Sequence, residues 1–306
     1  MSAPPGTESR APLASPPPAQ PSAARTAAVP DPAMPAAAPA QTATAPTPLL
    51  SIVVPVRNEG PNILPLIAEI RAALAAAPDG PIAHEIVYVD DGSTDDTAQR
   101  LEEAAAQGAP LRALRHRTSC GQSAAIVTGV KAARGTWIAT LDGDGQNDPA
   151  DIPRLLARAR AEAAGDASTA AVLVAGHRVQ RRDGPVKRIT SRLANGVRAR
   201  LLRDATPDTG CGLKVFPRAL FLELPHFDHM HRFLPALVLR QGGRVVSVPV
   251  NHRPRTRGRS NYGTLDRLAV SLFDLIGVAW LQRRWKRPAA EPLVLPPPTS
   301  DDPGQA

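Results

Sequence analysis

The stretch Ile138-Ala139-Thr140-Leu141-Asp142-Gly143-Asp144-Gly145-Gln146-Asn147-Asp148-Pro149 begins as an apolar strand and ends in acidic residues. Residues i and i+2 of an extended segment point to the same side, so the carboxylates of Asp142 and Asp144 can face one site. Such a pair repels unless a cation lies between, and Mg²⁺ or Mn²⁺ prefers these oxygen ligands. Gln146 adds a neutral oxygen. A surface turn would explain the same residue types, since Asp and Gly are common in turns.

Strands and helices are predicted to alternate around this stretch. Apolar runs typical of buried strands occupy residues 49–55, 82–89, 111–115 and 137–141. Helices are predicted at residues 62–77, 97–107, 124–133 and 150–161. The last of these has Asp148 as its N-cap and Pro149 at its first helical position. This alternation predicts an α/β fold with βαβ units on a parallel sheet.

Three polar clusters follow predicted strands, at Arg57–Glu59, Asp90–Asp96 and Asp142–Gln146. Ligands of parallel sheets bind at the carboxyl ends of strands, so the clusters predict one shared active site. Asp91 could accept hydrogen bonds from a nucleoside, or it could cap the next helix. Glu59 could bind ribose or base, or it could be a solvent-facing loop carboxylate.

The second half of the chain is less regular. Strands are predicted at residues 171–176 and 244–250, and helices at residues 189–202, 218–224 and 231–240. Between them, Asp208 in the glycine-punctuated turn 208–212 is a candidate base or electrostatic stabiliser, or a structural turn residue. The spacing of the three histidines at 226, 229 and 231 fits no standard zinc pattern, so we interpret them as structural or substrate-lining.

A basic run, His252–Gly263, has no periodicity and predicts a mobile loop that could bind phosphate, or a solvated run of charge. The helix predicted at Leu265–Trp285 is apolar from Leu268 to Leu281 and ends in basic residues. It is too short and polar to span a bilayer. It fits a helix in the headgroup region of a membrane and a helix packed on the core about equally.

Composition bounds the possible partners. The 306 residues carry a net charge of +8, which suggests an anionic partner such as nucleic acid, anionic lipid or nucleotide phosphate. Aromatic residues make up 3%, too few for stacking on single-stranded nucleic acid. Two cysteines exclude a disulfide framework. The Pro- and Ala-rich segment 1–48 and the tail 288–306 are predicted to be disordered, flanking a domain at 49–264 and an amphipathic helix at 265–287.

Three stretches resemble the family 2 glycosyltransferases: Val54-Pro55-Val56-Arg57-Asn58-Glu59, Val89-Asp90-Asp91-Gly92-Ser93-Thr94-Asp95 and Leu141–Pro149. Three later stretches resemble motifs of the dolichyl- and undecaprenyl-phosphate sugar transferase branch: Gly176-His177-Arg178, Asp208–Gly212 and Arg255–Ser260. The resemblance covers Leu50–Arg284. It implies a GT-A fold, with a mostly parallel sheet flanked by helices.

The resemblance also implies roles for individual residues. Asp144 and Gln146 would ligate Mg²⁺ or Mn²⁺, and Asp144 and Asp208 would be the catalytic carboxylates, with Asp208 near the reacting carbon. The nucleotide-sugar would contact Pro55, Arg57, Glu59, Val89, Asp91, Asp142, Gly143, Arg178 and Lys187. The acceptor phosphate would contact Arg255, Arg257 and Ser260.

The implied reaction is transfer of a sugar, with inversion, from a GDP- or UDP-sugar to a polyprenyl phosphate. The acceptor is already ionised, so the enzyme mainly positions two anions and neutralises the leaving diphosphate. The chain would lie peripherally on the cytoplasmic face of the membrane, or bind a membrane partner protein. Two alternatives remain at this point: a family 2 transferase with a soluble or polysaccharide acceptor, and a basic nucleic-acid-binding protein. The latter should interleave basic and aromatic residues or carry a recognition helix, and neither pattern is present.

Overall fold

The computed structural model describes residues 48–164, 171–178, 196, 198–254, 266–284 and 286. Within these residues, seven strands form one sheet in the order β3-β2-β1-β4-β6-β5-β7. The strands are β1 (Leu50–Val56), β2 (His84–Asp90), β3 (Leu111–Arg115), β4 (Trp137–Thr140), β5 (Val172–Arg178), β6 (Lys214–Pro217) and β7 (Arg244–Val250).

Helices cover both faces of the sheet. They are α1 (Gly60–Ala75), α2 (Thr97–Ala106), α3 (Gln122–Ala132), α4 (Ile152–Ala164), α5 (described over residues 198–202), α6 (Arg218–Leu222), α7 (Leu234–Arg240) and α8 (Asp266–Arg284). Successive side chains of a strand face opposite sides. Accordingly, Ile52 and Val54 pack with α1, α2 and α4, whereas Val53 packs with α3, α6 and α7.

The predicted parallel half is confirmed. β1 pairs in parallel with β2 and β4, and β2 pairs in parallel with β3. Asp148 caps the next helix as predicted, with its side chain accepting a hydrogen bond from the Ala150 amide. That helix begins with a 3-10 turn, Pro149–Asp151, before α4.

The second half contains a strand that the sequence analysis missed. β6 pairs antiparallel with both β4 and β5, so it joins the two parallel parts of the sheet. β6 is four residues long, and its apolar pair lies between Lys214 and Pro217. The segment therefore has no apolar run long enough to indicate a strand. The helix predicted at 231–240 is also shorter. A 3-10 turn, Met230–Arg232, precedes α7, and His229 before that turn has a left-handed backbone with φ 60°.

Helix α8 packs on the core, which is one of the two environments predicted for it. Val278 and Ala279 are buried in the core, and the Gln282 side chain donates to the carbonyls of Leu202 and Ala236. Its exposed apolar side chains are Phe273, Ile276 and Trp280. Among the described helices, none combines the length and apolarity needed to cross a membrane.

Several predictions lie outside the described residues. These are the disorder of residues 1–47 and of the tail, and the start of the helix at 189–202. Lys187, Arg255, Arg257 and Ser260 also lie outside. The domain boundaries proposed at residues 48, 264 and 287 stay predictions.

A buried hydrogen-bond network around Glu85 joins β1, β2 and the segment before β4 at the amino ends of these strands. The Glu85 carboxylate accepts from the Ser51 hydroxyl at 2.7 Å, and from the backbone and side chain of Arg134. Burial alone raises the pKa of Glu85, but these hydrogen bonds outweigh it and hold the pKa below its usual value.

We therefore predict that Glu85→Gln lowers the free energy of unfolding by about 1–3 kcal/mol near neutral pH. Since the folded-state pKa is depressed, the loss is complete above the ordinary glutamate pKa, about 4.3. It disappears as the pH falls through the folded-state value. Urea unfolding over a pH series measures this difference. The control Glu103→Gln, in an exposed pair on α2, should change stability by under about 0.5 kcal/mol; an equal loss in both variants would contradict the assignment.

Candidate active site

The loops after β1 and β2 hold each other by hydrogen bonds. The Asn58 amide donates to the Ser93 hydroxyl at 2.9 Å, and the Thr94 amide donates to the Asn58 side chain at 2.8 Å. The Asp91 amide donates to the carbonyl of Val56 at 2.8 Å. The two predicted polar clusters therefore form one surface at the carboxyl edge of the sheet.

The Asp91 carboxylate organises the loop that leads into α3. It accepts from His116, Ser119, Cys120 and Gly121 at 2.7–2.9 Å. Burial alone raises the pKa of Asp91, but these hydrogen bonds outweigh it and hold the pKa below its usual value. Capping of the next helix, α2, was the sequence-based alternative for Asp91, but the observed contacts instead hold the loop at the start of α3.

Candidate ligand atoms of Asp91, His116 and Cys120 lie within 4.8 Å of one another. The second ring nitrogen of His116 lies 2.9 Å from the Thr128 hydroxyl, so both its nitrogens have partners. Both oxygens of Asp91 also accept hydrogen bonds from the loop. Hydrogen bonds therefore hold this cluster together. Because both ring nitrogens of His116 already have partners, neither is available to ligate a metal ion.

The segment after β4, residues 142–147, forms a tight turn that we call the acidic turn. Gly145 has φ 72°, and the Asp144 carboxylate accepts from the Gln146 amide at 3.0 Å. Asn147 is 2% exposed, and its side-chain oxygen accepts from the Asp142 amide at 3.2 Å. A side chain at Gly143 would collide with Val56, so glycine lets the turn lie directly against β1.

Asp142 is enclosed on several sides. Its carboxylate accepts from the Gln122 side chain of α3 at 2.8 Å and lies so close to Gly212 that no side chain would fit there. Burial, and then the nearby charge of Asp144, raise the pKa of Asp142, although Lys214 and Arg178 act in the opposite direction. The two carboxylates therefore face a common region, as their spacing predicts.

Two cations from the second half of the chain reach the same region. Arg178, at the end of β5, donates from Nε and Nη2 to the two oxygens of Asp208 at 2.6 and 2.7 Å. Lys214, at the start of β6, is 3% exposed and donates to the carbonyl of Cys211. Burial lowers the pKa of Lys214, and nearby acidic groups partly offset this effect.

We call Asp142, Asp144, Arg178, Asp208 and Lys214 the charged cluster. Its three carboxylates face two cations, so with every group ionised it carries one excess negative charge. The oxygen set of Asp144 and Gln146, at a turn beside a second carboxylate, fits a hard divalent cation. Such an ion would relieve the repulsion that raises the pKa of Asp142.

A further residue reaches this region from a distant segment. His231 lies with Gln122, Asp142 and Lys214 around a cavity of ≈ 10 Å³, and its ring nitrogen is 2.7 Å from the Ser123 hydroxyl. Burial lowers the pKa of His231 to about 3, so the imidazole is neutral near physiological pH. This agrees with the structural or substrate-lining interpretation of the histidines. Lys214 had no signal in the sequence, since a single lysine beside an apolar pair is unremarkable.

The remaining residues predicted to contact the nucleoside differ in their exposure to solvent. Pro55 is half-buried, Arg57 is exposed, and Glu59 is buried and accepts from the Asn62 side chain at 2.6 Å. Val89 is fully buried within β2. The structure thus brings Pro55, Arg57 and Glu59 to the carboxyl edge, but it leaves Val89 without an exposed surface.

Residues 51–224 match the model of the family described as glycosyl transferase family 2. This chain belongs to glycosyl transferase family 2. One curated relative, dodecaprenyl-phosphate galacturonate synthase of Rhizobium johnstonii, is 34% identical over 243 residues, covering 78% of this chain and 69% of the relative. Undecaprenyl-phosphate 4-deoxy-4-formamido-L-arabinose transferase of Edwardsiella ictaluri is 33% identical over 228 residues, covering 74% of this chain and 66% of the relative. The chain thus spans about two thirds of the length of these relatives.

Solved structures confirm the predicted GT-A fold. The mannosyltransferase PcManGT from Pyrobaculum calidifontis, solved with GDP-Man and Mn²⁺, has a TM-score of 0.53 and 21% identity, covering 79% of this family 2 chain and 66% of the mannosyltransferase. Mannosyl-3-phosphoglycerate synthase from Rubrobacter xylanophilus has a TM-score of 0.52 and 19% identity, covering 78% and 74%.

We predict that Asp208→Asn lowers the free energy of unfolding by about 3 kcal/mol, because it leaves the largely buried Arg178 charge without its partner. Adding Arg178→Met to that variant should lower the free energy of unfolding only slightly further, because it removes the unpaired charge. A double-mutant cycle by urea unfolding measures the coupling. The matched cycle on the exposed pair of Arg100 and Glu103 should give under about 1 kcal/mol. Equal coupling in the two cycles would contradict the assigned strength of the Arg178–Asp208 pair.

Proposed function

We propose that this chain is a hexosyltransferase that moves a sugar from a nucleotide-sugar to a polyprenyl phosphate. The single observation that carries the proposal is the charged cluster at the carboxyl edge of the sheet, in a family 2 chain. The names of the relatives at 33–34% identity support the acceptor class, since each names a polyprenyl-phosphate product or acceptor. Family membership favours this function over the nucleic-acid-binding alternative.

Donor binding would use the surface formed by the loops after β1 and β2. Arg57 and Glu59 would contact the nucleoside, and the acidic turn would lie beside the diphosphate. Asp144 and Gln146 would hold Mg²⁺ or Mn²⁺, which supplies positive charge to the leaving diphosphate when bound. Asp91 would act here by holding the loop before α3, since its oxygens accept hydrogen bonds from that loop.

Transfer would be a single in-line displacement. An oxygen of the acceptor phosphate forms a bond to the anomeric carbon while the bond from that carbon to the donor diphosphate breaks, and the configuration inverts. The phosphate is already ionised, so no strong base is needed. The bidentate contact of Asp208 with Arg178 supports a role for Asp208 in orienting and stabilising charge rather than in removing a proton.

We propose that α8 contacts the cytoplasmic face of the membrane. Its exposed side chains Phe273, Ile276 and Trp280 recur at helical spacing, with exposed fractions of 77%, 57% and 57%. Arg283 and Arg284 follow them at the basic end of the helix. An apolar face with tryptophan and adjacent arginine suits an anionic headgroup region.

The decisive experiment incubates the purified chain with Mn²⁺ or Mg²⁺, radiolabelled UDP- and GDP-sugars and undecaprenyl phosphate, followed by butanol extraction. Label in the organic phase that disappears with EDTA is the expected result and identifies the donor. Donor hydrolysis without lipid label would favour a soluble or polysaccharide acceptor instead. Failure to bind any nucleotide would overturn the proposal.

We predict that Asp144→Ala abolishes transfer, with unchanged circular dichroism, because the proposed cation loses its carboxylate ligand. Lipid labelling at saturating Mn²⁺ measures the effect. Asp79→Ala, an exposed carboxylate in the loop between α1 and β2, is the control and should keep normal activity. Near-normal turnover by Asp144→Ala would rule out the metal role.

We also predict that replacing Arg283 and Arg284 by glutamine weakens binding to vesicles rich in phosphatidylglycerol by about thirtyfold, because each arginine near an anionic surface contributes about 1 kcal/mol. Co-sedimentation with vesicles measures the partition. The control replaces the exposed Arg71 and Arg160 by glutamine, which removes the same charge from α1 and α4. Equal weakening in both variants would show that only net charge matters.

A further inference from the structure

The first residues of the predicted mobile loop, His252 and Arg253, follow β7 and contact the acidic turn. His252 pairs with Asn147 as an isolated antiparallel bridge. The Arg253 amide donates to the carbonyl of Gln146 at 2.9 Å. We call residues 252–253 the anchor segment. Its backbone contacts hold the acidic turn at Gln146 and Asn147, the two residues that follow Gly145.

The Arg253 side chain extends this contact to helix α1. Its Nη2 donates to the carbonyl of Asn147 at 3.0 Å and to the Glu69 carboxylate at 2.7 Å. A cavity of ≈ 370 Å³, lined by Glu69, Gly145 and Arg253 among others, lies between α1 and the turn. The turn therefore has open space on this side, and the Arg253–Glu69 pair connects it to α1.

Both residues held by Arg253 bear on the proposed cation site. Gln146 is a proposed ligand, and the buried Asn147 accepts the Asp142 amide through its side chain. Groups that orient the ligands of a metal change its affinity without touching it. Among the described residues, the Glu69 carboxylate contacts Arg253 and not the acidic turn, so Glu69 would position the turn through Arg253.

We propose that the Glu69–Arg253 ion pair is a positioning pair that holds the acidic turn in the geometry that binds the divalent cation. This inference rests on the proposed function, because it takes Asp144 and Gln146 as the cation ligands. The pair is partly exposed, with side-chain exposures of 43% for Glu69 and 31% for Arg253. Exposed ion pairs contribute little to global stability, so a positioning role and a stabilising role predict different results.

The test titrates Mn²⁺ into the full chain in the presence of GDP or UDP and follows free Mn²⁺ by electron paramagnetic resonance. We expect Glu69→Gln to weaken Mn²⁺ binding about three- to tenfold with little change in melting temperature. Arg253→Gln should weaken it by about tenfold or more, and Arg253→Lys, which keeps the charge, should recover part of the loss.

The matched control lies at the other end of β7. Arg244 contacts Glu162 of α4 at 2.5 Å, and neither residue touches the acidic turn among the described contacts. Glu162→Gln should leave Mn²⁺ affinity unchanged. If Glu69→Gln binds Mn²⁺ as tightly as the unmodified chain, or loses no more affinity than Glu162→Gln, the positioning role is wrong. If the unmodified chain itself binds no Mn²⁺ with either nucleotide, the proposed function fails and this inference fails with it.

Discussion

The enclosure of Asp142 beside a second carboxylate is the constraint on which the rest of the site depends. Desolvation and the charge of Asp144 both disfavour its ionised form. The chain offsets this with a hydrogen bond from Gln122 and with the nearby charges of Lys214 and Arg178. Because these cations also face Asp208, the balance leaves the cluster short of one positive charge when all its groups are ionised. A divalent cation would turn this deficit into one excess positive charge, which would attract the donor diphosphate, so donor binding and metal binding are expected to depend on each other.

The topology explains how these groups meet. The parallel strands β1, β2 and β4 bring their carboxyl ends to one edge, and β6 then runs antiparallel between β4 and β5. Because β6 runs antiparallel to β4, its first residue, Lys214, lies opposite Thr140 at the end of β4. A parallel strand in that place would bring its last residue to the edge instead. β6, which is antiparallel to both of its neighbours, thus delivers a buried cation beside the acidic turn.

Local patterns in the sequence were enough to predict the first half of the fold. The apolar runs and the Asp148-Pro149 signal gave the parallel strands and the start of the helix after β4, because both depend on residues close in the chain. The spacing of Asp142 and Asp144 likewise indicated a shared site. The contacts that could not be predicted join residues far apart in the sequence. Ser123 and His231 are 108 residues apart, and Glu69 and Arg253 are 184 residues apart. No periodicity or motif marks such partners. β6 was missed because a four-residue strand with Lys and Pro at its ends has almost no local signal.

The charge balance also bears on the acceptor. In the proposed reaction two anions meet at the site, yet Arg178 already contacts both oxygens of Asp208, and Lys214 lies among acidic groups. Neither cation can serve an incoming phosphate without giving up part of that compensation. Positive charge for the acceptor is therefore better supplied from elsewhere, and the basic run His252–Gly263 carries four arginines within seven residues, beginning at Arg253. Arg253 is itself held against the acidic turn. The point where the basic run begins is thus fixed next to the proposed cation site, so one short segment would link the binding of acceptor phosphate to the geometry of the donor site.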